Sequence, residues 1–95
     1  MTYKELEKKL KQINDELKGN ADVLLVGIAA DKQSQEASQF ENGDPSILTS
    51  LLVQGLAHLI VTNSADNAEI KRVEHIINDE LDSAISLLKA QRKVN

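Results

Sequence analysis

DVLLVGIAADKQSQEASQFENGDPSILTSLLVQGLAHLIVT, residues 22–62, is the stretch that decides the fold. Its first nine residues, Asp22 to Ala30, are apolar after the aspartate and partly β-branched. Such a run predicts a strand covered on both faces or central in its sheet. Gly27 inside it suggests a bulge or a close backbone approach. Asp31 to Ser34 form a polar connection. Gln35 to Glu41, with only Ala37 and Phe40 apolar, then predict an antiparallel return strand at an edge with one wet face. Asn42-Gly43 is a turn signal. Asp44 suits a helix N-cap and Pro45 the first helical position, so a helix should run from there to about Thr62 or Asn63. Its polar residues Ser46, Ser50, Gln54, His58 and Thr62 fall four apart, with Thr49 beside them. A helix apolar on its remaining sides belongs at the centre of a core. Gly55 within it costs about 1 kcal/mol relative to alanine, which predicts a tight packing contact.

Outward from this stretch lie two amphipathic helices. In residues 3–18 the apolar positions Tyr3, Leu6, Leu10, Ile13 and Leu17 recur at spacings of three and four, a narrow seam. Thr2 is the expected N-cap and Gly19 the expected C′ residue. Glu5–Lys9 and Glu7–Lys11 are i,i+4 pairs in the favourable order. The last helix is expected from Asp66, with Glu69 completing a capping box. Its stripe runs Ile70, Val73, Ile77, Leu81, Ala84 and Leu88, widened by Ile76 and Ile85. Lys89, Arg92 and Lys93 suit the negative end of the helix dipole. The expected fold is α+β in the order α-β-β-α-α, an antiparallel hairpin packed against a central apolar helix with two outer amphipathic helices.

The chain has 95 residues, enough for a single domain spanning 1–95 with one modest core. No cysteine is present, which excludes disulfides, thiolate metal sites and thiol nucleophiles and favours a cytoplasmic setting. The first residues are charged and lack the apolar region of a signal peptide. The longest apolar stretch, Ile47 to Val61, is interrupted by Ser50, Gln54 and His58, and at fifteen residues is too short to span a bilayer, so no membrane partner is expected. The net charge is −4. Residues 19–70 hold only Lys32 against seven acids, whereas each terminal helix is nearly balanced. A nucleic-acid binder would show a basic stripe, and none is visible.

The side chains that could carry chemistry are scattered. His58 and His75 lie on different helices. Glu74 and Asp79 near His75 could be imagined as metal ligands, but a solvated helix face with an i,i+4 contact is the simpler reading. Asp79, Glu80 and Asp82 flank Leu81 and fit neither a buried carboxylate pair nor a calcium loop. No nucleophile elbow accompanies the Ser, His and Asp residues. Gly27, Gly43 and Gly55 make no phosphate-binding loop. Tyr3 and Phe40 are the only aromatics, too few for a base-stacking platform. The chain is therefore expected to be no enzyme and to hold no catalytic residue, cofactor or metal.

A two-stranded hairpin is marginal alone, and the first strand is too apolar for a wet edge. A second copy of the chain is the simplest source of further pairing, with Leu6, Leu10, Ile13, Leu17, Val23 and Leu25 as candidate dimer contacts. The acidic hairpin presents Gln33, Gln35, Glu36, Gln39, Phe40 and Glu41 as a candidate interaction surface.

The stretch from Asp22 to Ile60, an apolar strand Val23–Ala30, a polar hairpin, then Asn42-Gly43-Asp44-Pro45 before an apolar helix, resembles small uncharacterised proteins encoded in prophages and related mobile elements of low-GC Gram-positive bacteria. The resemblance implies a small non-enzymatic accessory protein and assigns no residue a role. The expected function is a non-catalytic protein–protein interaction or accessory module, homodimeric, with another protein as the second candidate partner. The alternatives are a nucleic-acid-binding regulator using the terminal helices, and an immunity or antitoxin-like protein that binds a basic partner through its acidic middle.

Overall fold

Five elements follow one another in the expected order in the computed structural model, which describes residues 1–94. They are α1 (Tyr3–Leu17), β1 (Leu25–Ala30), β2 (Ala37–Asn42), α2 (Pro45–Asn63) and α3 (Asn67–Val94). The fold is α+β. By its internal contacts the chain divides into two compact units, Met1–Gly55 and Leu56–Asn95, with the boundary inside α2.

The helix ends form where the capping chemistry places them. The Thr2 hydroxyl accepts from the Glu5 N–H at 3.2 Å and opens α1. Gly19 follows its end at a φ of 79°. Asp44 caps α2 by accepting from the Ser46 N–H at 2.9 Å, with Pro45 at the first helical position. Asp66 caps α3 by accepting from the Glu69 N–H at 2.9 Å. The Glu69 carboxylate reaches back to the Ala65 N–H at 2.8 Å, one residue before the position of the standard capping box.

In the first unit β1 and β2 pair antiparallel without a break, from Leu25 opposite Asn42 to Ala30 opposite Ala37. Side chains alternate across the sheet. Leu25, Gly27, Ala29, Ser38, Phe40 and Asn42 therefore share one face, where every residue is buried or half-buried. On the other face Ile28, Ala30, Ala37, Gln39 and Glu41 are exposed, and Ile28 retains 66% of its accessible surface. The expectation that β1 is covered on both faces is thus corrected. Gly27 marks no bulge, and a side chain there would meet open space.

The helix that covers the hairpin is α1, whose seam residues Leu6, Leu10 and Leu17 are half-buried. This corrects the expected architecture, in which the apolar α2 held that place. Phe40 and Leu48 are the buried apolar residues among the described ones, at 8% and 4% exposure. In the second unit the α3 stripe is half-buried at Ile70, Val73 and Ile77 and exposed at Leu81, Ala84 and Leu88.

Two connections are held by specific bonds. Asn42 is a buried polar residue whose amide donates to the carbonyls of Val23 (2.9 Å) and Asn20 (3.3 Å), which ties the α1–β1 connection to the hairpin base. The hairpin loop, 31–36, is bonded internally. Asp31 accepts from the Ser34 hydroxyl at 2.8 Å and the Gln33 N–H at 3.3 Å, and its carbonyl accepts from the Gln35 N–H at 2.9 Å. Gln35 lies at a φ of 62°, in the left-handed region.

Candidate functional site

The densest set of polar side chains sits where α1 crosses β2. Tyr3 and Glu7 are one helical turn apart on α1, and Ser38 meets them from the covered face of β2. The Tyr3 hydroxyl donates to Glu7 Oε2 at 2.9 Å and lies 2.6 Å from Ser38 Oγ. Ser38 also donates to the Glu7 carboxylate. Lys4, beside them, pairs with Glu36 at 3.0 Å. The expected Glu5–Lys9 and Glu7–Lys11 pairs do not close among the described residues, and the Glu7 carboxylate turns onto the hairpin instead.

Bonds from Ser38 and then Tyr3 hold the Glu7 carboxyl below its usual range. For Tyr3 the bond to Ser38 acts downward, but partial burial and the Glu7 carboxylate outweigh it, and the phenol is raised. The hydrogen bond to Glu36 raises Lys4. These directions decide what the cluster can do. A serine nucleophile needs an adjacent base able to take its proton. Here the neighbour is a carboxylate made a weaker base by the bonds it accepts. The arrangement joins a helix to a strand through side chains.

Other concavities have little convergent chemistry. A 410 Å³ recess is lined by Lys8, Lys11, Gln12, Asp15 and Glu16, all from one side of α1. A 130 Å³ recess is lined by Lys71, Glu74, His75 and Asn78, all from α3. Asp79 does not join His75 and Glu74 there, and no metal-ligand group of three forms among the described residues. A 290 Å³ recess between the start of α1 and the end of β1 is lined by Met1, Thr2, Tyr3, Leu6, Ala30 and Asp31.

The residues singled out from sequence fall into two groups. Gln33, Gln35, Glu36, Gln39 and Glu41 are exposed as expected, although Glu36 is engaged by Lys4. Phe40 is not on that surface: the two-residue alternation of β2 turns it inward. Of the candidate dimer contacts, Leu6, Leu10, Leu17 and Leu25 are half-buried within their own chain, whereas Ile13 and Val23 stay exposed. Sequence reading missed Ser38 and Asn42, the polar members of the covered face. The signal for them was their spacing of two from Phe40.

The largest departure is α2. Only Leu48 is buried along it, and Ile60 is half-buried. Ile47, Leu51, Leu52, Val53, Leu56, Leu59 and Val61 are all exposed, Leu59 and Val53 by 60% and 61%. No residue from Pro45 to Ala65 carries a charge, counting histidine as neutral. A large aliphatic side chain offers roughly 60–120 Å² for burial, so seven at about half exposure present roughly 200–400 Å². They point all round the helix axis, so any one side presents only part of that area. Nor does α2 stop at the fifteen-residue apolar run. Its 19 residues make it, by length and composition alone, long and apolar enough to cross a membrane. Gly55 has no close neighbour, and a Cβ there would meet nothing within 4 Å, which corrects the expected packing contact.

No protein-family model, curated protein or solved structure matches the chain. Function must therefore be argued from these surfaces.

Proposed function

We propose that the chain is a non-catalytic protein–protein interaction module that works as a homodimer, an accessory protein of the kind prophages encode. The observation that carries this reading is α2, an uncharged helix with seven large apolar side chains open to solvent. Large apolar side chains left open in this number on one uncharged helix favour contact with a partner. The polar cluster of Tyr3, Glu7 and Ser38 supports it from the other side, because its hydroxyls are spent on a weakly basic carboxylate. A cytoplasmic setting belongs to the same reading, since the chain has no cysteine to oxidise.

The test is light-scattering mass over a concentration series. A mass of twice the 10.5 kDa of the chain supports the reading. A mass of one chain up to high micromolar concentration refutes self-association.

A further inference from the structure

We propose that Asn42-Gly43 is a site of spontaneous covalent modification, held unreactive by the folded hairpin base and released when that base opens. The reaction is deamidation, and its only co-reactant is water.

The chemistry lies in the pair itself. The backbone nitrogen of a residue can attack the side-chain amide of an asparagine before it. A bond forms between Gly43 N and Asn42 Cγ, and the Cγ–Nδ2 bond breaks. Nδ2 leaves as ammonia, and the proton lost from the Gly43 nitrogen balances it. Water then opens the cyclic imide. Opening at Cγ leaves aspartate, and opening at the backbone carbonyl leaves isoaspartate, with the chain routed through the side chain. Attack is easiest ahead of glycine, which has no side chain to shield its nitrogen and leaves the backbone free to turn. Among the asparagines of the chain, Asn42 alone precedes a glycine.

The fold requires both members of this pair. Gly43 lies at a φ of 135°, and a Cβ there would fall 2.6 Å from Leu24 Cδ2. Asn42 is buried, and its Nδ2 donates to Val23 O at 2.9 Å and to Asn20 O at 3.3 Å. A carboxylate in that place has no hydrogen to give. The same two bonds shield the pair. They hold the leaving nitrogen on the covered face of β2, and the side chain must let go of both carbonyls before it can turn onto the Gly43 nitrogen. Local opening of this kind costs less than global unfolding. Neither product fits back. Both have lost Nδ2, and isoaspartate adds a methylene to the backbone where Asn42 pairs with Leu25. An opening that is reversible for the amide becomes permanent, and the α1–β1 connection is released from the hairpin base.

The experiment incubates the full chain at mildly alkaline pH, in buffer and in urea that unfolds it. Peptide mapping by mass spectrometry follows the amide-to-acid conversion at each asparagine. Asn42 is expected to convert roughly tenfold or more faster in urea than in buffer, as a protecting local structure requires. In urea it should outpace Asn14, Asn20, Asn63, Asn67 and Asn78, and Gly43→Ala should slow it. Equal rates in buffer and urea would show that the fold does not hold the pair and overturn the gating. Conversion in urea no faster than at the other asparagines would overturn the site itself. Converted chain, separated by its extra negative charge and returned to buffer, should unfold at a lower urea midpoint than unconverted chain. An unchanged midpoint would overturn the permanent release.

Discussion

Asn42→Ala should lower stability by more than any exposed hairpin substitution. The wild-type amide fills a buried position at the end of β2 and donates two hydrogen bonds, at 2.9 Å to Val23 O and 3.3 Å to Asn20 O. Each bond is worth about 0.5–1.5 kcal/mol net, and the longer one lies toward the weak end. Losing both, together with the packing of the amide, should cost roughly 1.5–2.5 kcal/mol. For a domain of this size that corresponds to a fall in Tm of roughly 6–20 °C. The assay is thermal unfolding by circular dichroism at one fixed protein concentration, because a dimer makes Tm concentration-dependent. Asn42→Asp sharpens the test. At neutral pH its carboxylate would face two carbonyl oxygens with no proton to give, so it should be worse than alanine. Its folded pKa would be raised above the unfolded value of about 3.9. Relative to wild type at the same pH, the aspartate variant should therefore recover below about pH 4 and lose that recovery as pH rises through the folded pKa. If Asn42→Ala melts within about 2 °C of wild type, the amide does not hold the α1–β1 connection and the account of the hairpin base is wrong.

Three further outcomes follow from the same structure. Gly43→Ala places a Cβ 2.6 Å from Leu24 Cδ2 and 3.3 Å from Leu48 Cδ2 at a φ of 135°, and should cost about 1–3 kcal/mol by urea denaturation. An unchanged midpoint would show that Leu24 and the turn adjust freely. Gln35→Gly relieves a left-handed φ of 62° without touching the backbone bond to Asp31, and should leave stability unchanged or raise it by up to about 1 kcal/mol. A clear loss in the same urea assay would mean the side chain contributes. Glu7, Asp31 and Asp44 are all held below their ordinary values, chiefly by hydroxyl donors, from Ser38, Ser34 and Ser46 respectively. Each contributes stability that is present above its unfolded pKa and lost as pH falls through the folded one, so the urea midpoint should drop as pH is lowered below about 4. A flat midpoint down to about pH 2 would contradict those bonds.

The elements themselves were legible because local signals agreed. Thr2, Asp44 and Asp66 are capping residues ahead of helical periodicity, and each caps its helix. The apolar run before the polar loop did make a strand. The layer order was not legible. Patterning reports that α2 avoids charge, but not what relieves it of water. A helix apolar nearly all round looks the same whether its own chain or another covers it. The narrow seam of α1 pointed the other way, toward a partner outside the chain, yet Leu6, Leu10 and Leu17 meet the hairpin. The covered face of β2 was hidden for a different reason. Ser38 and Asn42 read as solvent-facing residues, and they can be buried only because Glu7, Tyr3 and two backbone carbonyls satisfy them. Those partners lie some twenty to thirty-five residues away in the chain, beyond the reach of any local pattern.

The placement of these bonds has a consequence for synthesis. The hydrogen bonds that close the covered face, from Tyr3–Ser38 to Asn42–Asn20, join residues within the first 42. Chains grow at about 5–20 residues per second, so adding the 19 residues of α2 takes roughly 1–4 s. A hairpin forms in about 1–10 μs. Once these residues clear the ribosome, α1 and the hairpin have time to dock before α2 follows them out. The uncharged helix then emerges behind residues whose hydrogen bonds are already made, with most of its large apolar side chains still open to water.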